Sequence, residues 1–94
     1  MAITVKFIGA LRHASGKEKL AVDCKNGASL LDLMNELTKE SPTLRRNLLD
    51  EQLDEPKSNA LVLVNGREIS ILNGLETRVK DGDEVVFVPV VHGG

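Results

Sequence analysis

The last two residues of this 94-residue sequence are Gly93 and Gly94, and the reactive group they offer is a terminal carboxylate. A carboxylate is a poor electrophile. Transferring it, or replacing one of its oxygens by sulfur, first requires coupling to a leaving group such as AMP from ATP. An adenylating enzyme must pass the carboxylate through a narrow channel, and glycine suits such a channel because it lacks a Cβ. Glycine-ended tails also arise by chance, and termini are commonly disordered. Here the diglycine follows, within a few residues, a predicted strand that begins after 81–83, which would fix the root of the tail and leave its tip free. In that position the diglycine end indicates a carboxylate that a partner enzyme activates.

The single thiol and the histidine of the loop region favour structural roles. Cys24 lies at the end of a predicted strand beside Lys25, which would lower the thiol pKa slightly if the thiol were reactive. A half-buried structural thiol is the preferred interpretation. His13 falls in a predicted loop and indicates polar surface. With one cysteine and two distant histidines, the sequence contains no recognisable zinc set.

Three carboxylates share one turn, at Asp81, Asp83 and Glu84, and we expect them to shape that turn. Calcium would need more oxygen ligands at defined spacing, so no metal is expected. The sequence has neither a nucleophile–base pair nor a phosphate-binding loop. We therefore expect a carrier or modifier protein that binds no cofactor itself and is not an enzyme in its own right.

Composition narrows the class of partner. Both signs of charge are interspersed, with a net charge of −2, and the aromatic residues are Phe7 and Phe87 alone. Nucleic-acid binding is not expected, because no basic run tracks a phosphate backbone and no aromatics offer stacking surfaces. The start of the sequence lacks the order of a signal peptide, and its apolar runs are too short to span a bilayer. We expect a soluble, cytoplasmic protein.

The first third of the sequence predicts a hairpin. Ile3, Val5 and Phe7 alternate with their neighbours, which is typical of a strand with one buried face. A turn or loop over 13–17 and a second alternating run over 20–23 complete the hairpin.

A main helix follows. Ser29 and Asp32 form a capping-box pattern at its start. The helix should end near Glu40, because Pro42 disfavours helix at the preceding residue. Four apolar residues fall on one side of this helix: Leu30, Leu33, Met34 and Leu37. Four more could line a short second helix: Leu44, Leu48, Leu49 and Leu53.

The last third predicts strands separated by Gly turns. A β-rich run over 60–64 ends at Asn65-Gly66, a brief extra strand is possible near 68–72, and a final strand spans 84–88. Pairing should be lost at Pro89, which has no N–H to donate. The order predicts an α+β fold in which one mixed sheet packs on one main helix, with a short second helix. We expect a single domain over 1–94, with a flexible tail from about residue 90.

The strand alternation also predicts a binding surface. If Val5 and its alternate neighbours face the helix, five apolar side chains face outward, and we call these the outer-face patch: Ile8, Leu61, Leu63, Val86 and Val88. An apolar patch on a small protein usually marks a binding surface. The tail residues Val90, Val91 and His92 would extend this partner contact. The alternative is a strand register shifted by one residue, which would make the patch part of the core.

Four segments together resemble one known family. They are Val5-Lys6-Phe7-Ile8-Gly9-Ala10-Leu11-Arg12, Val64-Asn65-Gly66-Arg67-Glu68, Asn73-Gly74-Leu75-Glu76-Thr77 and Lys80-Asp81-Gly82-Asp83-Glu84-Val85. With the diglycine end they follow the order seen in molybdopterin synthase small subunits. The sequence resembles the MoaD/ThiS sulfur-carrier group, including the archaeal small modifier branch, and the resemblance implies the ubiquitin-like β-grasp fold.

The resemblance also implies two possible roles. A ubiquitin-activating-type enzyme would adenylate Gly94 with ATP, and a sulfur donor would convert the adenylate to a thiocarboxylate. As a carrier, the protein would then deliver sulfur in the large subunit of molybdopterin synthase, for molybdenum cofactor biosynthesis. As a modifier, it would be joined to lysines of target proteins. His92 departs from the small residue usual before the diglycine in this family. We interpret it as a solvated tail residue.

Overall fold

The computed structural model describes residues 2–51 and 57–90, and its centre is a mixed sheet. Within these residues, five strands lie in the order β2-β1-β7-β5-β6. Their bounds are β1 Ala2–Phe7, β2 Lys19–Asp23, β5 Ala60–Val64, β6 Arg67–Glu68 and β7 Glu84–Pro89. A separate two-stranded ribbon pairs β3 Leu49–Asp50 with β4 Lys57–Ser58. The α-helices of the described part are α1 Leu11–Ser15, α2 Leu30–Thr38 and α3 Pro42–Leu48.

The two central strands, β1 and β7, come from opposite ends of the chain and run parallel, with Val5 opposite Val85. Their other neighbours, β2 and β5, are antiparallel to them. The final strand is therefore held on both sides along most of its length. This arrangement fixes the point from which the C-terminal residues leave the sheet.

Helix α2 covers one face of the sheet. Ser29 accepts a hydrogen bond of 3.0 Å from the Asp32 N–H, and the Asp32 carboxylate accepts one of 3.2 Å from the Ser29 N–H. The predicted capping box is confirmed, and the helix ends two residues before the expected Glu40. The rings of Phe7 and Phe87 stack beneath it with centroids 5.7 Å apart. The fully buried core side chains are Ile3, Val5, Phe7, Leu30, Leu33, Met34, Leu48, Val62, Val79, Val85 and Phe87.

The predicted loop of the first hairpin is in part wrong, because α1 occupies it and places His13 on a helix. Leu11 is buried against the core. Gly16 closes the helix with φ of 75°, a left-handed conformation that suits glycine. Five residues with one buried side chain are too few for a helical period to be recognised from sequence.

Two other expectations need correction. The extra strand near 68–72 is only Arg67–Glu68, and the chain then forms 3₁₀ helices at Ile69–Ile71 and Gly74–Glu76. The short second helix is confirmed as α3, but Leu49 belongs to β3, and Leu53 lies outside the described residues. Strands of two residues are too short for an alternation pattern to show.

Pro89 belongs to β7 and lies opposite Ala60, so the expectation that pairing is lost there is wrong for the β5 side of the strand. The bond of 2.8 Å from Asn65 N–H to Glu84 O shows which facing residue pairs of the β5–β7 ladder exchange hydrogen bonds and which do not. Because these pairs alternate, the Pro89 nitrogen points away from β5. On its other side the parallel ladder with β1 reaches the bond from Ile8 N–H to Phe87 O, and residue 89 would donate the next bond. Because proline has no N–H, pairing with β1 ends there, as the sequence predicted.

No helix in the described part of the chain has the length and apolar content to cross a membrane.

Candidate partner-binding site at the root of the tail

The predicted reactive end, Gly93 and Gly94, lies outside the described residues, together with Val91 and His92. The structure does describe the root of this tail. Val90, the last described residue, follows β7 and has 46% of its surface exposed. The tail therefore begins at the end of a central strand.

Gly9 and Pro89 hold the root of the tail against the first strand. Gly9 follows β1 and adopts φ of 58°, and a Cβ built on it would lie 3.2 Å from Pro89 Cγ. One residue earlier, the Ile8 N–H donates to Phe87 O at 3.0 Å. The sequence segment after β1 and the segment before the tail are thus in direct contact.

The outer-face patch exists as a continuous surface beside this root. On β5 and β7, Leu61 lies opposite Val88 and Leu63 opposite Val86. Ile8 and Leu61 are each 39% exposed, while the other patch side chains are half-buried. The alternate residues on the same strands are buried, so the predicted strand phase is confirmed and a register shift is excluded. The role of the patch as a partner contact stays a prediction.

Charged side chains border the outer-face patch. Lys6 Nζ lies 2.9 Å from Glu84 Oε2 across the two parallel strands. On β6, Glu68 lies opposite Leu63, and hydrogen bonds from the Ser70 hydroxyl and backbone N–H hold its pKa below the usual range. Glu68 therefore stays ionised at neutral pH. The patch is an apolar centre with a charged rim, the usual composition of a protein-binding surface.

A hydrogen-bonded clasp that the sequence analysis missed supports the start of β7. Asp83 is only 6% exposed, and its carboxylate accepts bonds of 2.9 Å from Asn65 Nδ2 and from the Lys80 N–H. Asn65 Oδ1 in turn accepts from the Glu84 N–H at 2.9 Å. The sequence analysis recognised the turns at Asn65-Gly66 and at 81–83 separately, but it could not show that their side chains contact each other. The expectation that these carboxylates shape a turn fits Asp83, and no cluster of metal-ligating side chains occurs in the described ranges.

Cys24 does not belong to this site. Its side chain is half-buried, and burial, followed by the charge of Asp23, raises the pKa of the thiol. The expected lowering is therefore wrong, because desolvation and the Asp23 carboxylate both disfavour the thiolate. His13 is exposed on α1, as expected for polar surface.

Comparison with known proteins gives one consistent group. The model of the ThiS family matches residues 5–94. Small archaeal modifier protein 3 of Haloferax volcanii is 31% identical over 94 residues, covering all of both chains. The molybdopterin synthase sulfur carrier subunit of Mycobacterium tuberculosis is 30% identical over 93 residues, which cover 98% of this chain and 96% of that protein. The solution structure of small archaeal modifier protein 1 from Methanosarcina acetivorans superposes with a TM-score of 0.80 at 33% identity, covering 99% of this chain and 96% of that one.

Proposed function

Because this chain belongs to the ThiS family of sulfur carriers and ubiquitin-like modifiers, we propose that it carries sulfur as a thiocarboxylate on Gly94. The family resemblance and the ubiquitin-like β-grasp fold expected from the sequence are both confirmed. The family by itself fits two roles, and the proposal selects between them.

The proposed chemistry has two steps, both on the carboxyl group of Gly94. A carboxylate oxygen attacks the α-phosphorus of ATP, pyrophosphate leaves, and an acyl-adenylate forms. Hydrosulfide from the sulfur donor then attacks the acyl carbon, the acyl C–O bond breaks with AMP as the leaving group, and loss of the S–H proton gives the thiocarboxylate. Glycine leaves the acyl carbon unhindered at both steps. In this proposal ATP binds to the partner, a ubiquitin-activating-type enzyme, and this chain supplies the reacting carboxyl group only.

The observation that supports the proposal most is that the root of the tail directly follows the outer-face patch on β7. Val88 is the patch residue nearest the tail in sequence, and Pro89 is fixed against Gly9. A partner enzyme that binds the outer-face patch would therefore hold the start of the tail at a defined distance from the active site of that enzyme. Holding a reacting group in place in this way removes much of the entropic cost of the reaction.

The pathway belongs to the proposal too. A relative 30% identical over nearly the whole chain is named as the sulfur carrier subunit of molybdopterin synthase. We propose that the large subunit of that synthase receives the tail, in the cytoplasm, during molybdenum cofactor biosynthesis. The outer-face patch would be the surface that this subunit and the activating enzyme use in turn.

A second candidate function is supported by the relative named small archaeal modifier protein 3, which matches over its full length. In that role the activated Gly94 carbonyl forms an amide bond with a lysine Nζ of a target protein, and AMP is the leaving group. Activation is the same in both roles, and only the final nucleophile differs.

Intact-mass measurement after incubation with ATP, the activating enzyme and a sulfur donor tests the proposal. The carrier role predicts exchange of one oxygen for one sulfur, without any increase in chain length. The modifier role predicts this chain on larger proteins through lysine linkages. The variant lacking Gly94 is the control and should give neither product. A variant without Gly94 that retains either activity would overturn the proposal.

A further inference from the structure

Strand β2 is an edge of the sheet with one row of backbone groups turned away from its neighbour. The Phe7 N–H donates to Glu18 O at 2.9 Å. This bond shows which facing residue pairs of the β1–β2 ladder are hydrogen-bonded, because such pairs alternate with pairs that are not. Val5 and Leu20 therefore form a bonded pair, and Lys19 and Ala21 direct their N–H and C=O groups outward. An edge of this kind accepts another strand.

A groove runs beside this edge, between β2 and helix α2. It has a volume of about 520 Å³, and Leu20, Val22 and Leu37 contribute to its apolar lining, while Glu36 and Glu40 of the α2 side also line it. Leu20 and Leu37 are only half-buried although they pack on the core cluster. A strand added at β2 would place its inward side chains in this groove, where they would complete the burial of both leucines.

The sequence of β2 complements itself when read in the opposite direction. Its five residues, Lys19 to Asp23, are Lys-Leu-Ala-Val-Asp. We propose that the occupant of this edge is β2 of a second copy of the chain, paired antiparallel with Ala21 opposite Ala21. In that register Leu20 lies opposite Val22 of the other copy on the groove side. Lys19 lies opposite Asp23 of the other copy on the open side, twice by symmetry.

Charge favours this register. A lysine on an edge strand normally discourages pairing with other strands. Lys19 lies opposite Lys6 within its own sheet, and Lys6 already pairs with Glu84. Among the described residues Lys19 makes no ion pair. Asp23 of the second copy would give Lys19 the opposite charge that its own sheet does not offer.

The dimer leaves the proposed partner site open. The twofold axis passes between the two Ala21 residues, perpendicular to the joined sheet, so both outer-face patches lie on the same side. The tail root is on β7, two strands from the interface. Because one short strand from each copy forms the contact, the interface is small. We therefore expect a reversible dimer whose fraction increases with protein concentration.

A charge-swap experiment tests the register, with sedimentation velocity over a range of concentrations as the readout. Lys19→Asp and Asp23→Lys each place like charges opposite each other, and each should raise the dimer dissociation constant about tenfold or more. The double variant restores opposite charges and should dimerise about as well as the unmodified chain. Arg67→Asp, at an exposed site on β6 at the opposite edge of the sheet, is the control and should leave the dissociation constant unchanged.

Ala21→Pro is a second test that does not depend on charge. It removes an outward N–H while leaving the bonds to β1, and it should abolish dimerisation, with circular dichroism confirming that the fold is kept. The proposal is overturned by an unmodified chain that remains monomeric up to about 1 mM. It is also overturned if the Ala21→Pro variant still forms a dimer, or if the double variant has a dimer dissociation constant as high as those of the single variants.

Discussion

Gly9 and Pro89 touch at the root of the tail, where a Cβ on Gly9 would lie 3.2 Å from Pro89 Cγ. The contact joins the turn after the first strand, two residues beyond its end, to the last residue of the final strand. It sets where the chain leaves the sheet, so changes here should affect both stability and activation of the tail.

Gly9→Ala should destabilise the fold by more than its backbone cost alone. The left-handed φ of 58° costs about 1–2 kcal/mol for a side chain with a Cβ, and the clash with Pro89 adds to it. Gly16→Ala is the matched control, because Gly16 has φ of 75° and nothing within 4 Å of the built Cβ. Denaturant unfolding measures both. Equal losses would show that the contact with Pro89 is not tight, and Pro89→Ala should recover part of the Gly9→Ala loss.

Asn65→Asp should loosen the start of β7. The change removes the donor to the buried Asp83 carboxylate and places a second carboxylate beside it, at an expected cost of about 1–3 kcal/mol. Asn73→Asp is the control, because Asn73 also precedes a glycine but its side chain makes no capping bond. Free energies of unfolding at neutral pH compare the two. A loss in Asn73→Asp as large as that in Asn65→Asp would contradict the role of the clasp.

Leu61→Arg should weaken recognition by the activating enzyme without unfolding the chain. Leu61 is 39% exposed within the outer-face patch, opposite Val88, and a charge there should lower the affinity about tenfold or more. Ile71→Arg is the control, because Ile71 is a more exposed apolar side chain, at 73%, outside the patch. Rates of thiocarboxylate formation at limiting protein concentration measure the effect. Equal rates in the two variants would remove the patch from the proposed site.

Cys24 should react slowly with an alkylating reagent at neutral pH. Burial and Asp23 raise the pKa of its thiol, so less thiolate is present than in a free cysteine, and the rate should rise only at more alkaline pH. In denaturant the alkylation rate of Cys24 should equal that of free cysteine. Asp23→Asn removes the smaller of the two causes and should increase the rate modestly. A folded chain that reacts as fast as free cysteine at neutral pH would contradict this prediction.

Much of the fold was predictable, because local patterns encode it. The alternation in β1, β5 and β7 set which side chains face the helix, and the Ser29–Asp32 box set where α2 begins. The outer-face patch followed from the same alternation, since a period of two places every second residue on one face. The helix α1 and the short ribbon β3–β4 were missed, because segments of two to five residues are too short to show a period.

The sequence by itself predicted the carboxylate chemistry proposed for Gly94 and determined the two faces of each long strand. Only the tertiary structure decided which distant residues meet, as Gly9 meets Pro89 and Asn65 meets Asp83. The physical reason is that strand periodicity and capping act over a few neighbouring residues. These contacts instead depend on how β1, β5 and β7 pair, and that pairing is decided by burial across the whole core.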